Sequence, residues 1–312
     1  MDPVLPRIRY MGWQMRSGAA AIAVVSLAAS PVASRSGGSA VPVVVGTVAT
    51  YEVRQGDSLG SVSARAGVDV AVLVEENGLR GDVPLRPGQW LRVDNRHIVS
   101  ESARPGVVVV NVPQRMLFHV DDDGGLEAFP VAVGRRSWAT PLGLFTVTVT
   151  ETEPTWDVPL SIREEARRQG RTLPEKVGPG PNNPLGAFWL GLSIGGVGIH
   201  GTNAPGSIYR AVTHGCMRMH PDDIAELFPR IRVGTPGVIV YEPVLLALDG
   251  DTVFLEAHRD VYGRLAAASG ALARRLANER GLTDWIDWTV ADAVLGARHG
   301  IARDVSKQEA AP

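Results

Sequence analysis

Short apolar runs, separated by segments rich in glycine and proline, dominate the chain between residues 107 and 241. The sequence contains 35 glycines and 22 prolines among its 312 residues, and both residue types are disfavoured inside helices. Runs such as Val107–Val112 and Met116–Val120 have the length and composition of strands. This part of the chain is therefore predicted to form a β-sandwich or barrel of short strands joined by shaped loops.

The predicted strands leave one long segment, residues 151–186, that is mostly irregular. It contains a single short predicted helix, Ile162–Gln169. Loops of this length inside a compact domain often act as lids or substrate walls. The remaining predicted strands are Leu126–Val133, which forms a hairpin with Met116–Val120, and Phe145–Thr150, Ala187–Leu192, Gly198–His200 and Gly237–Tyr241.

Composition places the chain among folded proteins and limits its partners. Hydrophobic residues make up 45% of the chain and charged residues 21%, which is sufficient for a buried core. The length suits two domains with tails. The net charge is −2 and no long run of lysine or arginine occurs, so a large basic surface for nucleic acid is not expected.

The first 34 residues have the pattern of an export signal. Arginines 7, 9 and 16 precede an apolar stretch at Ala19–Ala29, and Val32-Ala33-Ser34 offers a cleavage site. We therefore predict a signal peptide over residues 1–34, with an uncleaved membrane anchor as the alternative. Residues 35–48 are small and rich in Gly, Ser and Val, and are predicted to be a linker.

Residues 49–95 are predicted to form a unit with the order strand, helix, helix, strand. Ser58 is a good N-cap for a helix that Gly67 ends, and a second helix runs from about Val70 to Asn77. Pro87-Gly88 turns the chain into a closing strand, Gln89–Val93.

This unit resembles a LysM domain in Tyr51-x-Val53, Gly56-Asp57-Ser58-Leu59, the Asn77 turn and Leu85-x-Pro87-Gly88-Gln89. The resemblance implies binding of glycans that contain N-acetylglucosamine, such as peptidoglycan, in a shallow groove. It assigns the groove to Gly56, Asp57, Ser58, Leu59 and Asn77. The alternative is a small βααβ spacer that binds nothing.

Residues 244–312 differ in composition from the rest of the chain. The stretch from Ala257 to His299 is rich in alanine, leucine and arginine and lacks proline. Two helices, Val261–Arg280 and Asp284–Ala297, are predicted there. We expect a helical C-terminal extension, to which the sequence assigns no function.

The only cysteine, Cys216, lies close to two histidines, His200 and His214. Three interpretations are open. The cysteine is a nucleophile activated by a histidine; or His214, Cys216 and His220, with His200 or Asp222, bind zinc; or the thiol is only a buried apolar side chain.

The nucleophile hypothesis explains more of the neighbouring residues. His200 ends an apolar strand and is therefore held rigidly. The Gly201 carbonyl can accept the second imidazole proton. Gly215 allows close approach of a substrate carbonyl and lets backbone N–H groups point towards a developing oxyanion.

His200-Gly201-Thr202 and Thr213-His214-Gly215-Cys216, followed by Arg218, resemble the catalytic motif of the L,D-transpeptidases, the YkuD domain. The resemblance covers residues 105–243 and is closest to the periplasmic branch that links an outer-membrane lipoprotein to peptidoglycan. It implies an α+β fold class: a mainly β, sandwich- or barrel-like YkuD catalytic domain, beside the small βααβ LysM domain and the helical extension.

The resemblance also implies roles for single residues. Cys216 is the nucleophile and His200 its base, oriented by the Gly201 carbonyl. His214 supports the oxyanion region, to which the N–H groups of Gly215 and Cys216 donate. Arg218, Thr213, Thr202 and Asn203 are expected to bind substrate, and neither a cofactor nor a metal is required.

The implied reaction releases D-alanine from a tetrapeptide stem and passes the acyl group to an amine, from diaminopimelate or a lipoprotein lysine. The expected partners are peptidoglycan stems and glycan strands, and an outer-membrane lipoprotein in one branch. The expected location is the periplasm or cell envelope. Water as the acceptor, giving an L,D-carboxypeptidase or a lipoprotein-releasing amidase, remains open, as does a wall-binding scaffold without activity.

Overall fold

The computed structural model describes residues 9–10, 44–81, 84–121, 124–265 and 268–308. The strands are β1 (Arg9–Tyr10), β2 (Val44–Val45), β3 (Val48–Glu52), β4 (Trp90–Asp94), β5 (His97–Ile98), β6 (Val108–Asn111), β7 (Met116–Val120), β8 (Leu126–Gly134), β9 (Gly143–Thr152), β10 (Trp156–Asp157), β11 (Lys176–Val177), β12 (Phe188–Leu192), β13 (Gly198–His200), β14 (Ala211–Thr213), β15 (Met217–Met219), β16 (Pro236–Val240), β17 (Val244–Asp249), β18 (Thr252–Ala257) and β19 (Arg303–Asp304). The helices are α1 (Leu59–Ala66), α2 (Val70–Glu76), α3 (Leu160–Arg168), α4 (Pro221–Leu227), α5 (Ser269–Glu279) and α6 (Trp288–Ala297).

Eight strands close into a barrel. Their order is β6, β7, β8, β15, β13, β12, β9 and β16, and β16 pairs again with β6. Most neighbours are antiparallel, whereas β13 with β15 and β6 with β16 run parallel. Apolar side chains such as Val110, Leu117, Ile199 and Met217 fill the interior. The mainly β architecture predicted from the short apolar runs is therefore confirmed, and it is a barrel.

Residues 48–94 form a two-stranded sheet, β3 with β4, and the helices α1 and α2. The Ser58 hydroxyl accepts a hydrogen bond from the Ser61 N–H at 3.1 Å and caps α1, and Gly67 ends the helix with a φ of 67°. A left-handed φ of this kind favours glycine. The predicted order strand, helix, helix, strand is confirmed.

The C-terminal extension is not wholly helical, contrary to the prediction. It begins with the hairpin β17–β18, and β19 adds a third strand to this sheet. Gly250 and Asp251 form the hairpin turn, with a φ of 59° at Gly250. A Gly-Asp pair between apolar runs is a hairpin signal, which the alanine- and leucine-rich composition obscured.

The first predicted helix of the extension also starts later than expected, at Ser269 rather than Val261. The Asp260 carboxylate accepts hydrogen bonds from the N–H groups of Arg264 and Leu265, at 2.9 Å each, and organises a turn there. Tyr262 packs against the barrel, where its hydroxyl donates to the Gly134 carbonyl oxygen at 2.8 Å. The side chain of Asp260 thus stabilises a turn in the segment where the start of a helix was predicted.

A buried polar cluster joins the three parts of the chain. Both oxygens of Glu256, on β18, accept hydrogen bonds, from His97, the Ile98 N–H, Gln114 and His258. His97 also contacts the Gly67 carbonyl oxygen of the LysM-like unit at 2.9 Å. The LysM-like unit, the barrel and the extension therefore share one buried contact.

The predicted signal peptide and residues 35–43 of the predicted linker lie almost entirely outside the described residues. The last part of the predicted linker is instead part of the fold, since Val44–Val45 form β2 and pair with β5. Of residues 1–34, only Arg9–Tyr10 are described, and they pair with Leu126 and Glu127 at the edge of β8. A helix long and apolar enough to span a membrane was not found among the residues described.

Candidate active site

Strand alternation separates the reacting side chains from the barrel core. Ile199 and Met217 pair across the parallel strands β13 and β15, and both are buried in the core. His200 and Arg218 pair next to them and therefore point to the outer face of the barrel. Cys216 precedes Arg218 by two residues, and all three side chains line one cavity.

This cavity, of about 690 Å³, covers the outer face of β9, β12, β13 and β15. One wall is the long segment between β9 and β12, for which a lid or substrate wall was predicted. The lining residues are Trp138, Val149, Glu151, Pro154, Thr155, Trp156, Asp157, Pro159, Ser161, Ile162, Pro184, Leu185, Trp189, Gly196, His200, Thr213, His214, Cys216 and Arg218.

His200 is held in one tautomer. Its Nδ1 lies 2.6 Å from the Gly201 carbonyl oxygen; since a carbonyl only accepts, Nδ1 carries the proton and Nε2 is the basic nitrogen. Trp189, the cross-strand neighbour of His200, stacks on the imidazole with 5.8 Å between ring centroids. Burial, followed by the positive charge of Arg218, lowers the pKa of His200 to about 4. The imidazole is therefore neutral at pH 7.

The thiol is also neutral at rest. Burial raises the pKa of Cys216, although a backbone hydrogen bond at Gly198 and the charge of Arg218 oppose the increase. Its Sγ lies 3.8 Å from the Gly196 carbonyl oxygen. A neutral thiol and a neutral imidazole thus share the cavity, and the proton must move from one to the other during attack.

The pH dependence of thiol alkylation tests this protonation state. Because the raised pKa leaves little thiolate at neutral pH, the rate of Cys216 modification by iodoacetamide should increase roughly tenfold per pH unit between about pH 6 and 8. Intact mass spectrometry measures the rate, with urea-unfolded protein as the reference for an ordinary thiol. A rate that is flat below pH 7 would instead indicate a preformed thiolate–imidazolium pair.

The turn before Cys216 differs in one respect from the expectation. Gly215 has a φ of 112°, a conformation that favours glycine. The Gly215 N–H, however, donates to the Thr213 hydroxyl at 3.2 Å, and that hydroxyl donates to the Cys216 carbonyl oxygen at 2.6 Å. Thr213 therefore stabilises the turn, and of the two N–H groups expected at the oxyanion, only that of Cys216 is left for this role.

Arg218 lines the cavity as an unpaired cation. Its Nε is buried and has no hydrogen-bond partner among the described residues, none of whose carboxylates pairs with the guanidinium. Arg218 is half-buried, burial lowers its pKa, and a cation withdrawn from water without a partner is unfavourable. A guanidinium fork in this setting is suited to an anionic group of a ligand.

His214 is held by two charged residues that the sequence analysis did not identify. Its Nε2 lies 2.5 Å from Oε2 of Glu165 on α3, and Arg135 forms an ion pair with Oε1 of the same carboxylate. Trp138 packs edge-on against the His214 ring at 5.1 Å. His214 lines the cavity, but its Nε2 faces α3. The spacing of residues 165 and 214 contains no signal for this contact.

Two predicted substrate residues lie outside the cavity. Thr202 is buried, and its hydroxyl accepts a hydrogen bond from the Ala204 N–H at 3.0 Å. Asn203 is exposed on the same turn. The structure therefore does not bring Thr202 or Asn203 to the cavity that holds Cys216.

The zinc interpretation finds no cluster of ligands. His220 caps α4, where its Nδ1 accepts a hydrogen bond from the Asp222 N–H at 3.3 Å. In the part of the chain that the structure describes, no group of three or more His, Cys, Asp or Glu residues is arranged to hold a metal ion.

The predicted glycan-binding side chains mostly stabilise their own domain. The Asp57 carboxylate accepts hydrogen bonds from the Tyr51 hydroxyl at 2.5 Å and the Arg54 N–H at 2.9 Å. Ser58 caps α1, and Leu59 packs in the core.

Asn77 has a similar structural role, because its amide bonds both the Leu73 carbonyl and the backbone of Arg92 and so ties α2 to β4. Gly56 is open to solvent, with a φ of 89° and no atom near the position of a Cβ.

Two family models match the chain in the regions just described. The L,D-transpeptidase catalytic domain, YkuD, matches residues 105–239, and the LysM domain matches residues 51–94. The chain is 33% identical over 204 residues to the probable L,D-transpeptidase ErfK/SrfK of Escherichia coli, covering 64% of this chain and 65% of that protein. This chain thus spans somewhat less than two thirds of the length of that relative.

The YkuD protein of Bacillus subtilis is 31% identical over 186 residues, which cover 60% of this chain and 95% of that protein. Among solved structures, an L,D-transpeptidase from Mycobacterium smegmatis aligns with a TM-score of 0.34 and 19% identity, covering 65% of this chain and 92% of that one. From the family model and the curated relatives, the chain belongs to the L,D-transpeptidase family.

Proposed function

We propose that the protein is an exported peptidoglycan L,D-transpeptidase with Cys216 as its nucleophile. The observation that carries this proposal is the common cavity of Cys216, His200 and Arg218 on the outer face of β13 and β15. It combines a thiol, a neutral imidazole of fixed tautomer and an unpaired guanidinium. These groups are what acyl transfer from a peptide with a free carboxylate requires.

The first step forms a thioester. The Cys216 sulfur bonds to the carbonyl carbon at the L-centre of the third stem residue, diaminopimelate, while Nε2 of His200 takes the thiol proton. His200 then gives this proton to the departing nitrogen, the bond to the terminal D-alanine breaks, and D-alanine leaves. The thioester conserves the free energy of the broken amide, so no nucleotide is consumed.

The second step transfers the acyl group. An amine, from another stem's diaminopimelate or from a lipoprotein lysine, attacks the thioester carbon, and the bond to sulfur breaks. His200 removes the proton from the amine and returns it to the sulfur. With water in place of the amine, the same steps describe an L,D-carboxypeptidase or an amidase that releases lipoprotein.

Mass spectrometry of the wild-type protein with a tetrapeptide stem tests the proposal. We expect a covalent adduct of the tripeptide on the protein and free D-alanine in solution. With an added amine we expect a new amide, whereas the tripeptide acid alone would identify water as the acceptor. Absence of both the adduct and D-alanine would favour a wall-binding scaffold without activity.

Arg218 is expected to recognise the stem through its carboxylate. Because hydrogen bonds to charged groups stabilise more than neutral ones, Arg218→Met should lower kcat/KM about 10- to 100-fold for a stem with a free carboxylate. A stem in which an amide replaces this carboxylate should be a poor substrate for both the wild type and Arg218→Met, with little difference between the two proteins. Arg232→Met, an exposed arginine away from the cavity, is the matched control. Equal losses on both stems would contradict carboxylate recognition.

We further propose that residues 51–94 hold the protein on glycan strands in the periplasm or cell envelope. Because the side chains of Asp57, Ser58 and Asn77 are used within the domain, glycan contact at these loops falls to backbone groups and to Gly56. An outer-membrane lipoprotein is the partner that a lysine acceptor implies.

A further inference from the structure

The contact between Glu165 and His214 ties the long wall segment to the turn that carries Cys216. Glu165 lies on α3 and is only partly exposed, and His214 stands two residues before the nucleophile. The Nε2 of His214 donates to the carboxylate, since a carboxylate only accepts. Hydrogen bonds from His214 and then Arg135 lower the pKa of Glu165, which is therefore ionised.

Arg135 completes the clamp from the barrel side. Its side chain pairs with Glu165, while its backbone N–H donates to the Thr213 carbonyl oxygen at 3.0 Å. One carboxylate on α3 is thus bound by two residues that are both fixed to the Thr213–Cys216 turn. Hydrogen bonds between charged groups are stronger than neutral ones.

His214 also lies between two cavities. His214 lines both the cavity of Cys216 and a second cavity of about 340 Å³ beneath α3, whereas Glu165 lines only the second. Trp156 and Ile162 border both as well. Loss of the clamp would let α3 move and open a path from the second cavity to the thioester.

We infer that Glu165 is a positioning residue which, by holding His214 and Arg135 together, keeps α3 over the acyl-enzyme and favours its transfer to an amine over water. This inference rests on the proposed function. Two reactions compete for the thioester. An amine converts it to an amide and the free thiol, whereas water converts it to a carboxylic acid and the free thiol. Shielding of the thioester from water matters because water is in vast excess over any amine.

The experiment measures how the acyl-enzyme divides between these products. Wild type, Glu165→Gln and Glu165→Asp are incubated with a tetrapeptide stem and a fixed concentration of an amine acceptor. The ratio of tripeptide acid to amide product is determined by mass spectrometry. We expect the ratio to increase roughly tenfold in Glu165→Gln, which keeps the size but loses the charge of the clamp, and less in Glu165→Asp.

Glu164→Gln is the matched control, because Glu164 is the exposed neighbour of Glu165 on the same helix. A second readout does not depend on transfer: iodoacetamide should modify Cys216 several-fold faster in Glu165→Gln, since α3 is less firmly closed. This readout also applies if Glu165→Gln is inactive, and circular dichroism reports whether the variants are folded.

The outcomes distinguish the inference from the proposed function. If wild type forms neither D-alanine nor an adduct, the proposed function fails. If wild type is active but the product ratio and the alkylation rate of Glu165→Gln match those of Glu164→Gln, the role of Glu165 is wrong. A uniform loss of both products with an unchanged ratio also overturns it, because Glu165 would then act only on the overall rate.

Discussion

Cys216→Ala is expected to lower D-alanine release from tetrapeptide stems by roughly 10⁴-fold or more. No other side chain in the cavity can form the thioester, and removal of the nucleophile alone costs most of the catalytic rate in enzymes of this kind. D-alanine is measured with a coupled oxidase assay, and the tripeptide adduct by intact mass spectrometry. The adduct should be absent.

Binding to intact peptidoglycan is the control for this variant. Cys216 lies in the barrel domain, whereas the LysM domain spans residues 51–94 and has its own apolar core. Sedimentation with wall fragments should therefore be unchanged in Cys216→Ala. Release of D-alanine above about 1% of the wild-type rate would contradict covalent catalysis by this thiol.

The two halves of the site have different physical origins. Cys216, His200 and Arg218 are positioned by the register of two parallel strands, so their arrangement is as rigid as the barrel. Glu165 and Ile162 belong to a helix within a long loop and reach the site only through side-chain contacts. Chemistry is thus fixed by the barrel, whereas access of the acceptor depends on the clamp that holds α3.

Local sequence patterns predicted those features that local chemistry determines. Ser58 and Gly67 delimit α1 as expected, because a cap and a left-handed C-terminal residue act within one turn. Strand β13, Gly198–His200, was likewise predicted with the observed bounds. The Gly201 carbonyl, adjacent in sequence, orients the imidazole as expected.

Contacts between distant residues could not be predicted in this way. Glu165 and His214 are 49 positions apart, and a glutamate in a charged helical stretch is usually a solvated side chain. Thr202 and Asn203 were expected to bind substrate from the resemblance to the family motif, but the chain turns away after Gly201 and neither residue lines the cavity of Cys216.

Glu256 illustrates the same limit in the core. It lies in a strand that was not predicted, and its partners His97 and Gln114 are 159 and 142 positions away. Its side chain is completely buried, although glutamate is rarely found so. Only the assembled fold reveals that donors from all three parts of the chain converge on this carboxylate.

Replacing Glu256 is expected to have the largest effect on stability. Glu256→Ala leaves Nδ1 of His97, Nε2 of His258 and the Ile98 N–H buried without their acceptor. Removal of one partner of such a buried pair costs about 3–5 kcal/mol, which corresponds to a decrease in Tm of about 10 °C for a protein of this size. Thermal unfolding followed by circular dichroism measures it, with Glu279→Ala, an exposed residue on α5, as the control.

The pH dependence of the stability loss tests whether the charge of Glu256 is its cause. Burial raises the pKa of Glu256, but the charge of His97 and the hydrogen bonds from His258 and His97 outweigh it and lower the pKa to about 2. A carboxyl whose pKa is lower in the folded than in the unfolded state stabilises the fold above its unfolded pKa, and that contribution is lost as the pH falls towards the folded value. The difference in Tm between wild type and Glu256→Gln should therefore be largest near pH 7 and shrink below about pH 4.5. A difference that stays constant down to pH 3 would show that packing, and not the buried carboxylate, joins the three parts of the chain.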